Sequence, residues 1–243
     1  MIVFLTSSPS GSLDDSHIVY GLDKMNHFVD NLRKYWRDGA KCLMISASPD
    51  EYEGNDQMTA FFADAFKDAG LFWSEFLLWD GRDEVMPKEE LHTYDLIILG
   101  GGHVPTQNQF FHEIGLREKL QGYKGMIIGI SAGTMNSADV VYAQPELPGE
   151  SVDPHYVKYL EGLNLTKNQI LPHYQMVKGY MLDGKRLYED ITFADSYGNN
   201  FLVLPDGSYL MSIDGEESVW GEAWRLSDGV MRKISENGNE NLL

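Results

Sequence analysis

The sequence predicts an α/β fold with a mainly parallel sheet covered by helices on both faces. Short apolar runs alternate with stretches of helical periodicity over the first three-fifths of the chain. Two of those runs, Leu96–Leu99 and Met126–Ile130, are apolar throughout, as strands buried on both faces are. Glycines stand where the periodic stretches end. The chain has 243 residues, 43% hydrophobic and 12% aromatic, which is enough for a sizeable core and excludes intrinsic disorder.

Ile2–Thr6 reads as a buried strand. Leu22, Met25, Val29, Leu32 and Trp36 recur at steps of three and four and predict a helix closed by Gly39. Cys42–Ala47 is a second strand. Asn55 is placed to cap a helix that carries Met58, Phe61, Phe62, Ala65, Phe66 and Ala69 and stops at Gly70. Leu71–Trp79 is a third strand, and a helix around Thr106–Leu120 joins the two fully apolar ones. Such alternation builds right-handed βαβ units. Ala132–Tyr142 can be helical, and Gln144–His155 is a loop. Beyond it, Asp206-Gly207, Asp214-Gly215 and Asp228-Gly229 separate the β-like runs Phe201–Leu204, Ser208–Ile213 and Ser218–Leu226. These predict antiparallel hairpins at one edge of the same sheet, within a single domain over residues 1–243.

Charge narrows the function. Nineteen Lys and Arg against 37 Asp and Glu give a net charge of −18, which argues against a nucleic-acid binder and against docking on an anionic membrane. No apolar run approaches the ~20 residues of a membrane span. Met1–Thr6 has no basic segment or small-residue cleavage site, so a signal peptide is not expected. Cys42 is the only cysteine, which excludes an intramolecular disulfide and a Cys-rich zinc site and suits a reducing, cytoplasmic setting.

Gly129-Ile130-Ser131-Ala132-Gly133 is the sharpest feature. A G-x-S-x-G between a strand and a helix is a nucleophile elbow, in which a tight turn lifts the serine hydroxyl clear of the sheet. Ser131 would face substrate, and the Ala132 N–H would be free to bind an oxyanion. The plainer reading is an ordinary tight turn between strand and helix. Leu99-Gly100-Gly101-Gly102-His103 ends the neighbouring apolar strand, where glycines permit positive φ and close backbone approach. It matches neither G-x-G-x-x-G nor a Lys-bearing phosphate loop, so the other half of an oxyanion hole is the better reading.

Ser131 needs a base. The histidines are at 17, 27, 92, 103, 112, 155 and 173. His27 and His112 lie within helical patterns, and His17 and His92 in polar surroundings. His103 suits substrate contact. His173, fixed behind Pro172, stands only slightly ahead of His155 and His103. No acid stands out among the 37 carboxylates.

The Gly-Gly-Gly strand end, the Ile-Ser-Ala-Gly elbow, the step Pro172-His173-Tyr174 and the turn Leu204-Pro205-Asp206-Gly207 together resemble the peptidase E family of aspartyl dipeptidases, relatives of the cyanophycinases. The resemblance runs over roughly residues 95–210, with the motifs in family order. It implies a flavodoxin-like sheet of the class I glutamine amidotransferase type, with Ser131 as nucleophile, His173 as general base and Asp206 as the acid. It further implies an oxyanion hole from Gly102 and Ala132, a small peptide substrate, no cofactor or metal, and a homodimer, for which Trp220 or Trp224 offers an aromatic patch. The family carries Glu where Asp206 stands, a longer acid arm. Two departures bear on substrate, the first being His103 where the family carries Asn. Its Asp-selecting arginine has only Arg186 as a near match, a residue that reads equally well as part of a solvated helix face.

The implied activity is release of an N-terminal residue, plausibly Asp, by a serine exopeptidase; the alternatives are an isoaspartyl or cyanophycinase-type peptidase, or a non-catalytic peptide-binding relative. An α/β-hydrolase esterase orders its triad Ser, acid, His, unlike Ser131, His173, Asp206. A glutamine amidotransferase needs Cys where Ser131 stands.

Overall fold

The computed structural model describes residues 1–10 and 21–243, so His17 lies outside the described residues. Five strands run parallel: β1 (Ile2–Thr6), β2 (Ala40–Ile45), β3 (Trp73–Trp79), β4 (Leu96–Leu99) and β5 (Met126–Ile130). Their spatial order is β1-β5-β4-β2-β3. The period-2 pleat sends alternate residues to opposite faces, which explains why these strands are apolar throughout. Val3, Leu5, Leu43, Ile45, Ile97 and Leu99 enter one core, and Phe4, Met44, Leu96, Ile98 and Ile128 the other. The second face is covered by α1 (Phe28–Tyr35) and α2 (Tyr52–Asp68), the first by α3 (Lys88–Leu91), α4 (Val104–Glu113) and α5 (Leu116–Lys119).

Helix boundaries depart from the periodicity for local reasons. The first helix begins only at Phe28, after Asn26 and His27 take positive φ, and its extended end is Trp36 rather than Gly39. The second begins at Tyr52, so Asn55 lies inside it. Its amide is buried against Ser46, the Ser48 carbonyl and Asp80, a polar tie that outweighs capping. The helix expected over 106–120 breaks in two at Gly115, which has φ 63°.

After β5 come α6 (Ala132–Asn136), the antiparallel pair β6 (Val140–Tyr142) and β7 (Tyr159–Glu161), and β8 (Gln169–Leu171). The expected helix to Tyr142 is thus a single short one followed by a strand. Next are α7 (Tyr174–Val177), the small hairpin of β9 (Met181–Leu182) and β10 (Lys185–Arg186), a π-helical turn over Leu187–Thr192, and α8 (Phe193–Asp195). The chain closes with β11 (Asn200–Val203), β12 (Tyr209–Ile213), β13 (Glu216–Trp220), β14 (Ala223–Ser227), β15 (Val230–Ser235) and β16 (Glu240–Leu242).

These last strands correct the single-edge expectation. β12, β13 and β16 do extend the main sheet antiparallel beyond β1, and Asp214-Gly215 turns β12 into β13. Asp228-Gly229 joins β14 to β15, but in a separate sheet ordered β15-β14-β11-β8. Asp206-Gly207 closes no hairpin, because β11 and β12 belong to different sheets. An Asp-Gly pair satisfies the turn, but the apolar faces choose the partners. Leu171, Phe201, Val203 and Leu226 pack with Val104, Ala132 and Met135, so the second sheet sits on α4 and α6. No helix among the described residues is long and apolar enough to cross a membrane.

Candidate active site

The carboxyl ends of β1, β4 and β5 meet at Ser131. Its N–H donates to the Thr6 carbonyl at 3.2 Å, and its backbone holds φ 50° and ψ −108°, a strained conformation costing about 1–3 kcal/mol. Close packing over-determines the turn. A Cβ on Gly129 would stand 2.9 Å from Thr134 Oγ1, and one on Gly133 would collide with the Leu99 carbonyl. Gly133 N–H donates to the Gly100 carbonyl at 3.1 Å and Thr134 Oγ1 to the Thr6 carbonyl at 2.7 Å, tying the elbow to both neighbouring strand ends.

The second sheet supplies the other two groups. β8 and β11 are parallel, with Leu171 opposite Val203, and both runs continue into Leu-Pro. Proline has no N–H to extend a ladder, so both chains leave the sheet at the same end. Leu204 N–H donates to the Leu171 carbonyl at 2.9 Å and Tyr174 N–H to the Leu204 carbonyl at 3.2 Å, which locks His173 beside Asp206. His173 Nδ1 lies 2.7 Å from Asp206 Oδ1, and Nε2 lies 2.8 Å from Ser131 Oγ. With Nδ1–H donating to the carboxylate, Nε2 is left to accept the Ser131 proton. The short arm of Asp206 reaches the ring because its backbone is held beside that of His173.

Asp206 is 8% exposed. Burial disfavours its charge, but hydrogen bonds from His173 and Ser7 outweigh that and hold its carboxyl below the ordinary 3.8. Ser7, one residue beyond β1, is fully buried. Its hydroxyl donates to Asp206 Oδ1 at 2.7 Å and accepts from His173 N–H at 2.7 Å. Gln175 Oε1 accepts from Asp206 N–H at 2.9 Å. Sequence reasoning missed both. The signal for Ser7 was its place at a strand's carboxyl end, where open α/β sheets bind ligands.

None of Gly100, Gly101 and Gly102 takes positive φ, contrary to the sequence expectation. They are small because neighbours press on them. A Cβ on Gly102 would lie 2.8 Å from Ala47 Cβ, and one on Gly101 would lie 3.4 Å from Ser131 Cβ. Gln107 Nε2 donates to the Gly100 carbonyl at 2.7 Å while its Oε1 accepts from Asn136, so one buried amide network links this run to α6. Gly102 and Ser131 line the same cleft, and the Ala132 N–H is the first of its helix, with no intrahelical acceptor.

The remaining sequence candidates lie elsewhere. His103 spends Nδ1 on Thr106 Oγ1 (2.7 Å) and Nε2 on Glu150 (2.8 Å), and it is not a lining residue of the cleft. Arg186 lies on a hairpin strand rather than a helix face. It is exposed and paired with Asp190 through Nε at 3.0 Å and Nη2 at 2.6 Å. His155 is on an exposed loop, and His92 and His112 bond backbone carbonyls. Trp220 and Trp224 are half-buried against Tyr209 and Tyr174, so they form no exposed patch.

The cleft above Ser131 and His173 measures about 220 Å³. Val104, Met135, Pro172, Val177 and Leu187 give it apolar walls; Gln144, Glu146 and Tyr180 add polar groups that sequence reasoning did not find. No Lys or Arg lines it.

Two solved structures resemble this chain. A peptidase from an acI-B1 Actinobacterium superposes with TM-score 0.64 at 16% identity, covering 100% of this chain and 96% of its own. A putative peptidase E protein from Listeria monocytogenes EGD-e gives TM-score 0.55 at 17% identity, covering 96% and 98%. Both share the fold. No curated protein matches the sequence. The model of peptidase family S51 matches residues 21–219, a span that takes in the elbow serine, the histidine beside it and Asp206. The chain belongs to peptidase family S51 and is a serine-type peptidase.

Proposed function

We propose that the protein is an exopeptidase acting on small peptides through Ser131, His173 and Asp206. One observation carries the reading: a single imidazole lies 2.8 Å from a strained elbow hydroxyl and 2.7 Å from a buried carboxylate. His173 takes the Ser131 proton as Oγ attacks the scissile carbonyl. The C–N bond then breaks, His173 passes that proton to the leaving amine, and an acyl ester remains on Ser131. Water attacks the ester, gives a proton to His173, and the proton returns to Oγ as the acid leaves. Asp206 keeps the reactive tautomer and stabilises the imidazolium. The N–H groups of Gly102 and Ala132 receive the oxyanion, each such donor being worth about 2.7–4 kcal/mol.

The reading takes residues 1–243 as one domain, because α4 and α6 are shared between the two sheets. The single thiol, buried on Cys42 and pushed up to about 12 by that burial, is no rival nucleophile and suits a reducing, cytoplasmic setting. The homodimer implied by resemblance is tested by sedimentation. The implied Asp preference lacks its basic partner, since Arg186 is spent on Asp190.

The test is hydrolysis of Asp-Leu, Glu-Leu, Asn-Leu, Ala-Leu and isoAsp-Leu by wild type and Ser131→Ala, with a chelator present. Turnover that falls about 10⁴-fold or more in the variant is expected. Turnover of isoAsp-Leu alone would move the assignment to the cyanophycinase type. Activity that survives Ser131→Ala, or a serine reagent that labels a different residue, would sink it.

A further inference from the structure

The charges around the cleft point away from an acidic substrate. Glu146 is the only carboxylate that lines it, beside His173 and the phenol of Tyr180, and the chain as a whole carries a net charge of −18. Such a field disfavours an incoming carboxylate and favours a cation. Glu146 is anchored from behind. Its neighbour Glu150 accepts from the N–H groups of Glu146 and Leu147, at 2.8 Å and 3.0 Å, and from His103, which fixes the segment that presents Glu146 to the cleft.

Gln144 adds a second acceptor. Thr192 Oγ1 donates its proton to the Leu187 carbonyl at 2.8 Å, so toward Gln144, 2.6 Å away, it can only accept. The amide orientation is therefore set: Nε2 faces Thr192, and Oε1 has no donor among the described residues. Two oxygen acceptors, no cation and apolar walls at Val177 and Leu187 form a site for an ammonium carried next to an apolar side chain.

We propose that Glu146, with Gln144 Oε1, binds the free α-ammonium of the substrate's first residue, making the enzyme an aminopeptidase-type exopeptidase for neutral, apolar N-terminal residues rather than acidic ones. This rests on Ser131 being the nucleophile. Desolvation by its neighbours and the nearby Glu150 carboxylate push the Glu146 carboxyl up against the pull of His103 and His173, while the residue keeps the solvent access an incoming ammonium needs.

The test uses a probe that needs no turnover. The boronic acid analogue of leucine carries a free amine beside boron. Ser131 Oγ adds to the boron, its proton passes to His173, and nothing leaves. Protection of Ser131 from a fluorophosphonate label is measured for this compound and for its N-acetyl derivative. Wild type should favour the free amine by about ten- to a hundredfold, the range of a charge-assisted hydrogen bond. Glu146→Gln, which keeps shape and removes charge, should bring the ratio close to one, each protection being measured against that variant's own labelling rate so that any change in Ser131 reactivity cancels. The boronic analogue of aspartate should bind wild type more weakly than that of leucine, and less so in the variant. Equal protection by the acetylated compound in wild type, or an unchanged ratio in Glu146→Gln, overturns the ammonium assignment while leaving Ser131 as nucleophile. Failure of Ser131 to label at all overturns the nucleophile, and this inference with it.

Discussion

Replacing Ser7 with Ala removes one hydroxyl that holds two members of the catalytic set. Its donation to Asp206 Oδ1 and its acceptance from His173 N–H are both 2.7 Å, and Ser7 itself is fully buried. A hydrogen bond to a charged group is worth about 1.5–3 kcal/mol, and an orphaned buried N–H costs about 1–3 kcal/mol. The two losses share one atom and do not simply add, so a stability loss of about 2–4 kcal/mol is expected. For a chain of this size that lowers Tm by roughly 5–15 °C. His173 holds its left-handed conformation, φ 58°, partly through that N–H, so ring placement also loosens. A fall in kcat/KM of about 10–100-fold follows, equivalent to about 1.4–2.7 kcal/mol of transition-state stabilisation. Ser7→Thr, which keeps the hydroxyl, should recover most of the rate. A pH series separates electrostatics from packing. Asp206 is depressed below 3.8, so its contribution is present at neutral pH and lost as pH falls through the folded value. Removing a donor raises that folded value, so the stability gap between wild type and Ser7→Ala should narrow below pH 3.8. A rate within twofold of wild type, or a gap that is constant with pH, would refute Ser7 as a positioning residue.

Asp206→Asn should lower kcat about 10⁴-fold with little change in KM, measured on whichever dipeptide wild type turns over, because the amide favours the wrong imidazole tautomer. Asp23 is buried near Asp206, and its Oδ2 has no partner among the described residues. Burial raises its carboxyl above 3.8, so its charge destabilises the fold as pH rises through that raised value. Asp23→Asn keeps the acceptor for Met25 N–H and should raise Tm at pH 7 by roughly 2–4 °C, a gain that vanishes below pH 3.8 in thermal melts. Gly133→Ala should cost more than about 3 kcal/mol in denaturant unfolding, since its methyl would enter the Leu99 carbonyl. Arg186→Ala should leave kcat/KM within twofold on both Asp-Leu and Ala-Leu, because its guanidinium is engaged on the surface by Asp190.

The parallel core was legible because its strands are buried on both faces and need no alternation: Leu96–Leu99 and Met126–Ile130 are strands from end to end, as their composition requires. What propensity could not reveal was partner choice. The run predicted over Ser218–Leu226 divides between two strands, its first part in β13 of the main sheet beside Ser208–Ile213 and its last in β14 of the second sheet, decided by which apolar surface each part covers. The same limit hid Ser7. Nothing local marks Thr6-Ser7 as catalytic; only the pairing of β1 with β5, which brings the Thr6 carbonyl onto Ser131 N–H, carries it to the site.

His173 and Asp206 show where a readable signal passed unused. Spacing alone puts His173 only slightly ahead of His155 and His103, and Asp206 reads as one more Asp-Gly turn. Yet each follows a Leu-Pro step at the end of an apolar run: Ile170-Leu171-Pro172-His173 and Val203-Leu204-Pro205-Asp206. Two strands that end on the same punctuation pair in register only when parallel, and parallel pairing puts the residues after each proline side by side. The observed pair is parallel but one residue off that match, with Leu171 opposite Val203, and the imidazole still meets the carboxylate. An antiparallel pair, the default for short strands near a chain's end, would have sent them to opposite ends of the sheet. The 33-residue separation between the two Leu-Pro steps contains α7, a hairpin and a π-helical turn, which is the crossover length a parallel connection needs. A pair of matched strand ends at crossover spacing, one carrying His and the other a carboxylate, is therefore a sequence signature for a charge-oriented histidine, and it does not depend on recognising the family.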